Sequence, residues 1–109
     1  MKITTEKTGG VEVVHFSGAA DVSAVAAVRQ ALRQGLDDSG FHLVCDLSKV
    51  NFICSDALGA FIMAHQAARA VGGFLRLVQP RQRVAEILAT THLDRLFEIC
   101  DSLDAARRP

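Results

Sequence analysis

The fold of this chain is decided by residues 41–59, which read Phe-His-Leu-Val-Cys-Asp-Leu-Ser-Lys-Val-Asn-Phe-Ile-Cys-Ser-Asp-Ala-Leu-Gly. The first part, Phe41–Leu47, is apolar with few interruptions, which is typical of a strand covered on both faces. A helical pattern begins near Leu58, so Ser55 lies at a strand-to-helix junction. Because backbone N–H groups at a helix start lack partners and carry the positive end of the dipole, a phosphate on Ser55 would be stabilised there. The stretch therefore predicts a central strand, a helix and a modifiable hydroxyl between them.

The residues before this stretch predict a hairpin and a first helix. Ile3–Thr8 and Val11–Ser17 are short β-rich runs on either side of Gly9-Gly10, a pair that suits a two-residue turn. Asp21 then stands where a helix N-cap is expected. Apolar residues follow it at helical spacing: Val22, Val25, Val28, Leu32 and Leu36.

The residues after the central strand predict a regular alternation of helices and strands. The second helix carries an apolar stripe and ends at Gly72-Gly73, which tolerate a left-handed cap. The alternation predicts an α/β fold, with a mixed sheet that opens with a hairpin, becomes mostly parallel, and carries about four helices in one domain over residues 1–109. The stripe comprises Leu58, Phe61, Ile62, His65, Ala68 and Val71, and the later elements are a strand at Phe74–Val78, a helix at Val84–Thr91, a strand at Phe97–Cys100 and a terminal helix at Ser102–Arg107.

Composition argues against several classes of protein. Twelve basic and twelve acidic residues cancel, so no nucleic-acid partner is expected. No apolar run approaches the roughly 18 residues of a membrane span, so no direct membrane insertion is expected. Cys45, Cys54 and Cys100 lack metal-ligand spacing and are interpreted as reduced thiols. We therefore expect a cytoplasmic protein without a metal or cofactor.

The motifs of common enzymes are missing from the sequence. There is no Gly-x-x-x-x-Gly-Lys-Ser/Thr loop, no Gly-x-Gly-x-x-Gly turn and no His-Glu-x-x-His. A cysteine phosphatase would also place a cysteine, here Cys54, between a strand and a helix, but it needs an arginine six residues later, where this chain has Ala60. We expect no catalytic activity.

In these residues the chain resembles the STAS domains, a family that includes the bacterial anti-sigma factor antagonists. Their helix entrance typically reads aspartate, serine, serine or threonine, glycine, leucine, glycine, and the first hydroxyl is the one phosphorylated. Ser55 occupies that position, whereas Cys54, Asp56 and Ala57 replace the usual aspartate, second hydroxyl and glycine. The segments that carry the resemblance are Gly18–Asp21, Asp46–Ile53, Ser55 with Leu58-Gly59, Gly72–Val78 and Val84–Phe97.

The resemblance implies a protein that binds an anti-sigma factor and thereby frees a sigma factor. That partner is commonly also a serine kinase, and a phosphatase would remove the phosphate from Ser55. Two other functions fit the same resemblance: a scaffold of a stress-sensing complex, and the cytosolic STAS subunit of a lipid ABC transporter. The implied partner-binding residues are Asp21, Cys54, Ser55, Asp56, Ala57 and Leu58.

Several of these residues also have simpler structural interpretations. Ser55 and Asp21 are both suited to capping a helix, and Asp56 is suited to stabilising the dipole in a first turn. Cys54 could act as a redox sensor or simply be a small half-buried residue. The four histidines are interpreted as structural residues with satisfied hydrogen bonds: His15, His42, His65 and His92.

Overall fold

The computed structural model describes residues 1–108, and strands and helices alternate in it as predicted. The α/β fold class is confirmed. The strands are β1 (Lys2–Thr8), β2 (Val11–Ala20), β3 (His42–Ile53), β4 (Phe74–Val78) and β5 (Glu98–Cys100). The helices are a 3₁₀ turn (Val22–Ala24), α1 (Val25–Ser39), α2 (Ser55–Ala70), α3 (Gln82–Thr90) and α4 (Leu103–Ala106).

The five strands form one mixed sheet in the order β1-β2-β3-β4-β5. Strand β1 pairs antiparallel with β2, and the remaining neighbours pair parallel. Gly9 and Gly10 join the first pair with φ angles of 59° and 82°, the left-handed conformation that a tight hairpin turn requires. The predicted opening hairpin and later parallel pairing are therefore both confirmed.

The two faces of the sheet are covered very differently. On the face that we call the front, Val14 and Phe16 of β2 belong to a large apolar core shared with α1, α2 and α3. On the back, Val11 and Val13 of the same strand belong to a small apolar cluster, to which α4 contributes the buried Ala106 and the partly buried Leu103. Alternate residues of one strand thus point into two layers of unequal size, as strand geometry requires.

The central strand is longer than predicted. It continues from Leu47 to Ile53, and irregularities in the pairing with β2 accommodate the polar residues of this stretch. The register shifts between His15 and Ser17 and again between Gly18 and Ala19. Such bulges let a strand carry extra residues while its apolar side chains stay in the core.

The second helix is shorter than its predicted stripe. Val71 is 64% exposed, so its assignment to the buried stripe is wrong. The helix has already ended, because Gly72 adopts a φ of 78° and the Gly73 N–H donates to the Ala68 carbonyl oxygen at 2.8 Å. This is the glycine-based helix end that the sequence predicted, and it leaves Val71 at the C-cap position of α2.

Candidate partner-binding site

Two loops meet at the edge of the sheet formed by the carboxyl ends of the parallel strands, which we call the carboxyl edge. Ala20, the last residue of β2, is the register partner of Ile53, the last residue of β3. The N–H of Cys54 donates to the Ala20 carbonyl oxygen at 2.9 Å, which ties the two strand ends together. Asp21 and Ser55 therefore follow neighbouring strand ends, at the position where parallel sheets generally present binding groups.

Ser55 is exposed and is the first residue of α2. The alternative interpretation of Ser55 as the helix N-cap is therefore wrong: the cap position belongs to Cys54, whose extended backbone has φ −84° and ψ 166°. The Cys54 side chain makes no capping hydrogen bond. The N–H groups of this first turn, which begins at Ser55, are thus not satisfied by a cap side chain.

The carboxylates of Asp21 and Asp56 give this part of the edge a negative charge, and both residues are exposed. The Ser23 hydroxyl donates to Asp21 Oδ1 at 2.6 Å, and this bond lowers the pKa of the Asp21 carboxyl. Asp21 occupies the N-cap position of the 3₁₀ turn, but its side chain makes no capping bond and α1 begins only at Val25. Asp56 lies in the first turn of α2, where a negative charge favours the helix dipole.

Two of the predicted contact residues lie in the core. Ala57 is 0% exposed and Leu58 is 7% exposed, and both pack in the front layer. Cys54 is half-buried and packs against the same core. Their side chains thus fix the start of α2, and a contribution of Ala57 or Leu58 to partner binding would have to be indirect.

Two features of the carboxyl edge were not predicted from the sequence. Val22, next to Asp21, is 75% exposed and presents an apolar side chain at this edge. Beyond β4, Arg81 and Arg83 begin the third helix, and the Arg83 guanidinium lies 5.7 Å from the centre of the Phe52 ring. The strand order would have revealed the pattern, because it places the acidic loops after β2 and β3 beside the basic loop after β4.

Two of the cysteine thiols have raised pKa values. Burial raises the pKa of the Cys45 thiol, and burial together with Glu98 raises the pKa of the Cys100 thiol.

One histidine differs from the prediction that all four are satisfied. His65 is 5% exposed and packs edge-on against Phe97, but its Nδ1 has no hydrogen-bond partner within residues 1–108. The prediction that all histidines have satisfied hydrogen bonds is therefore wrong for His65.

Within residues 1–108, no set of three or more His, Cys, Asp or Glu side chains is placed to hold a metal ion. No helix in this range combines the length and apolar character needed to cross a membrane.

Comparison with known proteins gives consistent matches. The family model described as STAS domain matches residues 2–106. A protein of Thermotoga neapolitana, provisionally named an anti-sigma factor antagonist, is 40% identical over 60 residues, which are 55% of this chain and 53% of that protein. The chain thus spans about half the length of this curated relative.

Solved structures match over nearly the whole chain. An anti-sigma factor antagonist from Mycobacterium paratuberculosis is 30% identical, with a TM-score of 0.85 over 96% of this chain and 89% of that one. The anti-sigma factor antagonist SpoIIAA in its unphosphorylated form is 17% identical, with a TM-score of 0.79 over 95% and 92% of the two chains. Bacillus SpoIIAA in the phosphorylated form has a TM-score of 0.72 at 17% identity over 95% and 96%. With the family model matching almost every residue and the fold agreeing, this chain belongs to the STAS domain family.

Proposed function

We propose that this protein is a cytoplasmic anti-sigma factor antagonist that binds an anti-sigma factor with serine kinase activity and is regulated by phosphorylation of Ser55. The observation that carries the proposal is the position of Ser55, which is exposed at the first residue of α2 beside the Asp21 loop. The relatives named as anti-sigma factor antagonists support the partner class. One structural neighbour is known in both unphosphorylated and phosphorylated forms, which supports the mode of regulation.

In the unmodified state, the exposed part of the carboxyl edge forms the contact surface. Val22 supplies apolar area, while Asp21 and Asp56 supply negative charge that fixes orientation. The buried Ala57 and Leu58 hold α2 in place beneath this surface. The protein contributes no catalytic group, and the serine kinase of the partner carries out the chemistry.

In the phosphorylated state, Ser55 carries about −1.5 to −2 charges at neutral pH. The first-turn N–H groups of α2 stabilise that charge within the protein. The phosphate also adds to the charge of Asp56 and Asp21, so a partner surface suited to the unmodified edge meets excess negative charge and binds more weakly. A phosphatase restores binding by removing the group.

A capture experiment from the lysate of the source cell tests this function. Wild type, Ser55→Ala and Ser55→Glu are immobilised, and the retained proteins are identified by mass spectrometry. We expect an ATPase-fold anti-sigma kinase on the first two baits and its loss from the third, because Ser55→Glu adds a charge beside Asp56. Thr5→Glu is the matched control, since Thr5 is an exposed hydroxyl residue on β1, away from the carboxyl edge.

The other possible functions give different results in the same experiment. Retention of one membrane ATPase by all baits would indicate a transporter subunit, and retention of only copies of this chain would indicate a scaffold. Loss of the kinase from Thr5→Glu as well as from Ser55→Glu would show that general charge, and not the carboxyl edge, controls binding.

A further inference from the structure

A chain of four charged groups crosses the back of the sheet, and His15 lies at its centre. The Nδ1 of His15 lies 2.6 Å from Asp46 Oδ2 on β3, and its Nε2 lies 2.9 Å from Glu6 Oε1 on β1. Glu6 Oε1 also accepts from Arg107 Nη2 at 3.4 Å, just after α4. We call Asp46, His15, Glu6 and Arg107 the His15 chain.

The geometry of the ring defines its protonation state. A neutral imidazole has one N–H and one lone pair, so only one of its nitrogens can donate. Here both nitrogens face carboxylate oxygens at hydrogen-bond distance, and both bonds are satisfied only if both nitrogens carry protons. His15 in this arrangement is therefore an imidazolium cation.

The electrostatics of the surroundings agree with this assignment. Burial lowers the pKa of His15, but the hydrogen bonds to Glu6 and Asp46 outweigh that effect and the pKa is raised. Burial raises the pKa of the Asp46 carboxyl. Hydrogen bonds from the Ser48 N–H and from His15 outweigh this effect, so the pKa of Asp46 is below its usual value. The ring also borders a cavity of about 210 Å³, so water can exchange the proton. Two further charged groups, Lys2 on β1 and Lys49 on β3, line the same cavity. At the far end of the His15 chain, Arg107 Nη1 lies 3.8 Å from Asp104 Oδ1.

We propose that the proton on His15 locks the C-terminal segment, α4 with Arg107, onto the back of the sheet, so that this segment is a pH-sensitive strap. The strap covers the apolar cluster of Val11, Val13, Val44 and Val78, into which Ala106 packs at 0% exposure. Its second anchor is Arg76, whose Nη1 donates to the Ala106 carbonyl oxygen at 3.0 Å. The proton therefore controls one of two polar anchors.

Loss of the proton affects the two carboxylates unequally. The Asp46 side chain is only 13% exposed and is also held by the Ser48 N–H at 2.9 Å, so the remaining ring proton stays on Nδ1. Nε2 then presents a lone pair to Glu6 Oε1. Because the Glu6 side chain is 48% exposed, it turns toward water, and the hydrogen bond from Arg107 to Glu6 Oε1 is lost. The strap opens more often, without unfolding of the front layer.

Nuclear magnetic resonance with amide hydrogen exchange tests the strap. The ring nitrogens of His15 should titrate above the ordinary histidine value of about 6.5 and show the doubly protonated form below that titration. After correction for intrinsic exchange rates, protection of the Ala106 and Arg107 amides, which donate to the carbonyl oxygens of Ser102 and Leu103 around α4, should fall about two- to fivefold through that titration.

Three variants make the test specific. His15→Gln should remove the pH dependence of protection in α4, whereas His92→Gln, at an exposed site after α3, should leave it unchanged. Glu6→Gln should lower the titration point of His15 and weaken protection at every pH. A His15 ring that titrates at or below about 6.5, or protection in α4 that titrates identically in His15→Gln, would overturn the proposal. Neither result depends on Ser55 or on any partner.

Discussion

The front and back layers of the sheet are stabilised in different ways. The front layer is a broad apolar core beneath three helices, and the carboxyl edge that carries Ser55 is built on it. The back layer has a few valines under a four-residue helix, and charged groups complete its attachment. The free energy contributed by apolar burial does not depend on protonation, whereas the free energy contributed by an ion pair does. The proposed partner surface therefore rests on the layer that apolar burial stabilises, whereas the back layer is held in part by the ion pairs of the His15 chain.

Removing a large side chain from the front layer should have the largest effect. Phe61 is 2% exposed and packs edge-on against Phe16, with ring centres 5.4 Å apart. We expect Phe61→Ala to lower the free energy of unfolding by about 3–5 kcal/mol, because it leaves a cavity between α2 and the sheet. Urea denaturation measures this loss. Met63→Ala, at a 71% exposed position of the same helix, is the control and should change it by less than about 0.5 kcal/mol.

Alanine substitutions at two adjacent valines allow a direct comparison of the two layers. Val14 points to the front and Val13 to the back, and both are 0% exposed. We expect Val14→Ala to cost about 2 kcal/mol and Val13→Ala about 1 kcal/mol, because the thin back layer can relax into the smaller volume. Denaturation of the pair under one set of conditions measures the difference. Equal losses would mean that the back layer is packed as rigidly as the front.

Loss of the proton on His15 should weaken the back layer. Because the pKa of His15 is raised in the folded state, its contribution is fully present below the unfolded value of about 6.5 and is lost as pH rises through the folded value. We expect the wild type to lose about 0.5–1 kcal/mol more than His15→Gln over that rise, a size set by the partial exposure of the ring and of Glu6. Urea denaturation of both proteins on each side of the transition measures this. Identical pH profiles would remove His15 as the cause.

The smallest effect should come from charge at the carboxyl edge. Asp56→Ser removes a negative charge beside Ser55, and we expect the kinase recovered by capture to phosphorylate Ser55 about two- to fivefold faster. Phosphate incorporation over time measures the rate, and Asp104→Ser, an exposed acid on α4, is the control. An unchanged or slower rate in Asp56→Ser would show that Asp56 does not oppose the incoming phosphoryl group.

Several elements of the fold could be predicted from local sequence. The hairpin at Gly9-Gly10, the apolar centre of β3 and the glycine-terminated end of α2 follow from local residue patterns, and the structure contains all three. The polar stretch Ser48–Asn51 gave no such signal, because its place in β3 depends on bulges opposite β2. Helix α1 also begins a few residues later than predicted, because the 3₁₀ turn Val22–Ala24 precedes it.

The back layer could not be predicted in the same way. His15 is separated from Asp46 by 31 positions and from Glu6 by 9, so their contacts depend on the register of three strands. The alternation of Val11, Val13 and His15 does place the histidine among back-facing residues. The arginines after β4 were missed for a similar reason, because only the strand order brings their loop beside that of Ser55.

The hairpin turn offers a practical way to attach this protein to a surface. Strand β2 runs from Val11, next to the turn, to Ala20 at the carboxyl edge, a length of about 30 Å for its 10 residues. A Cβ built on Gly9 or Gly10 would meet no atom within 4 Å. A tether or fluorescent label inserted between these glycines would therefore orient every molecule with Ser55 facing the solution, which makes single-molecule recording of partner arrival and departure feasible.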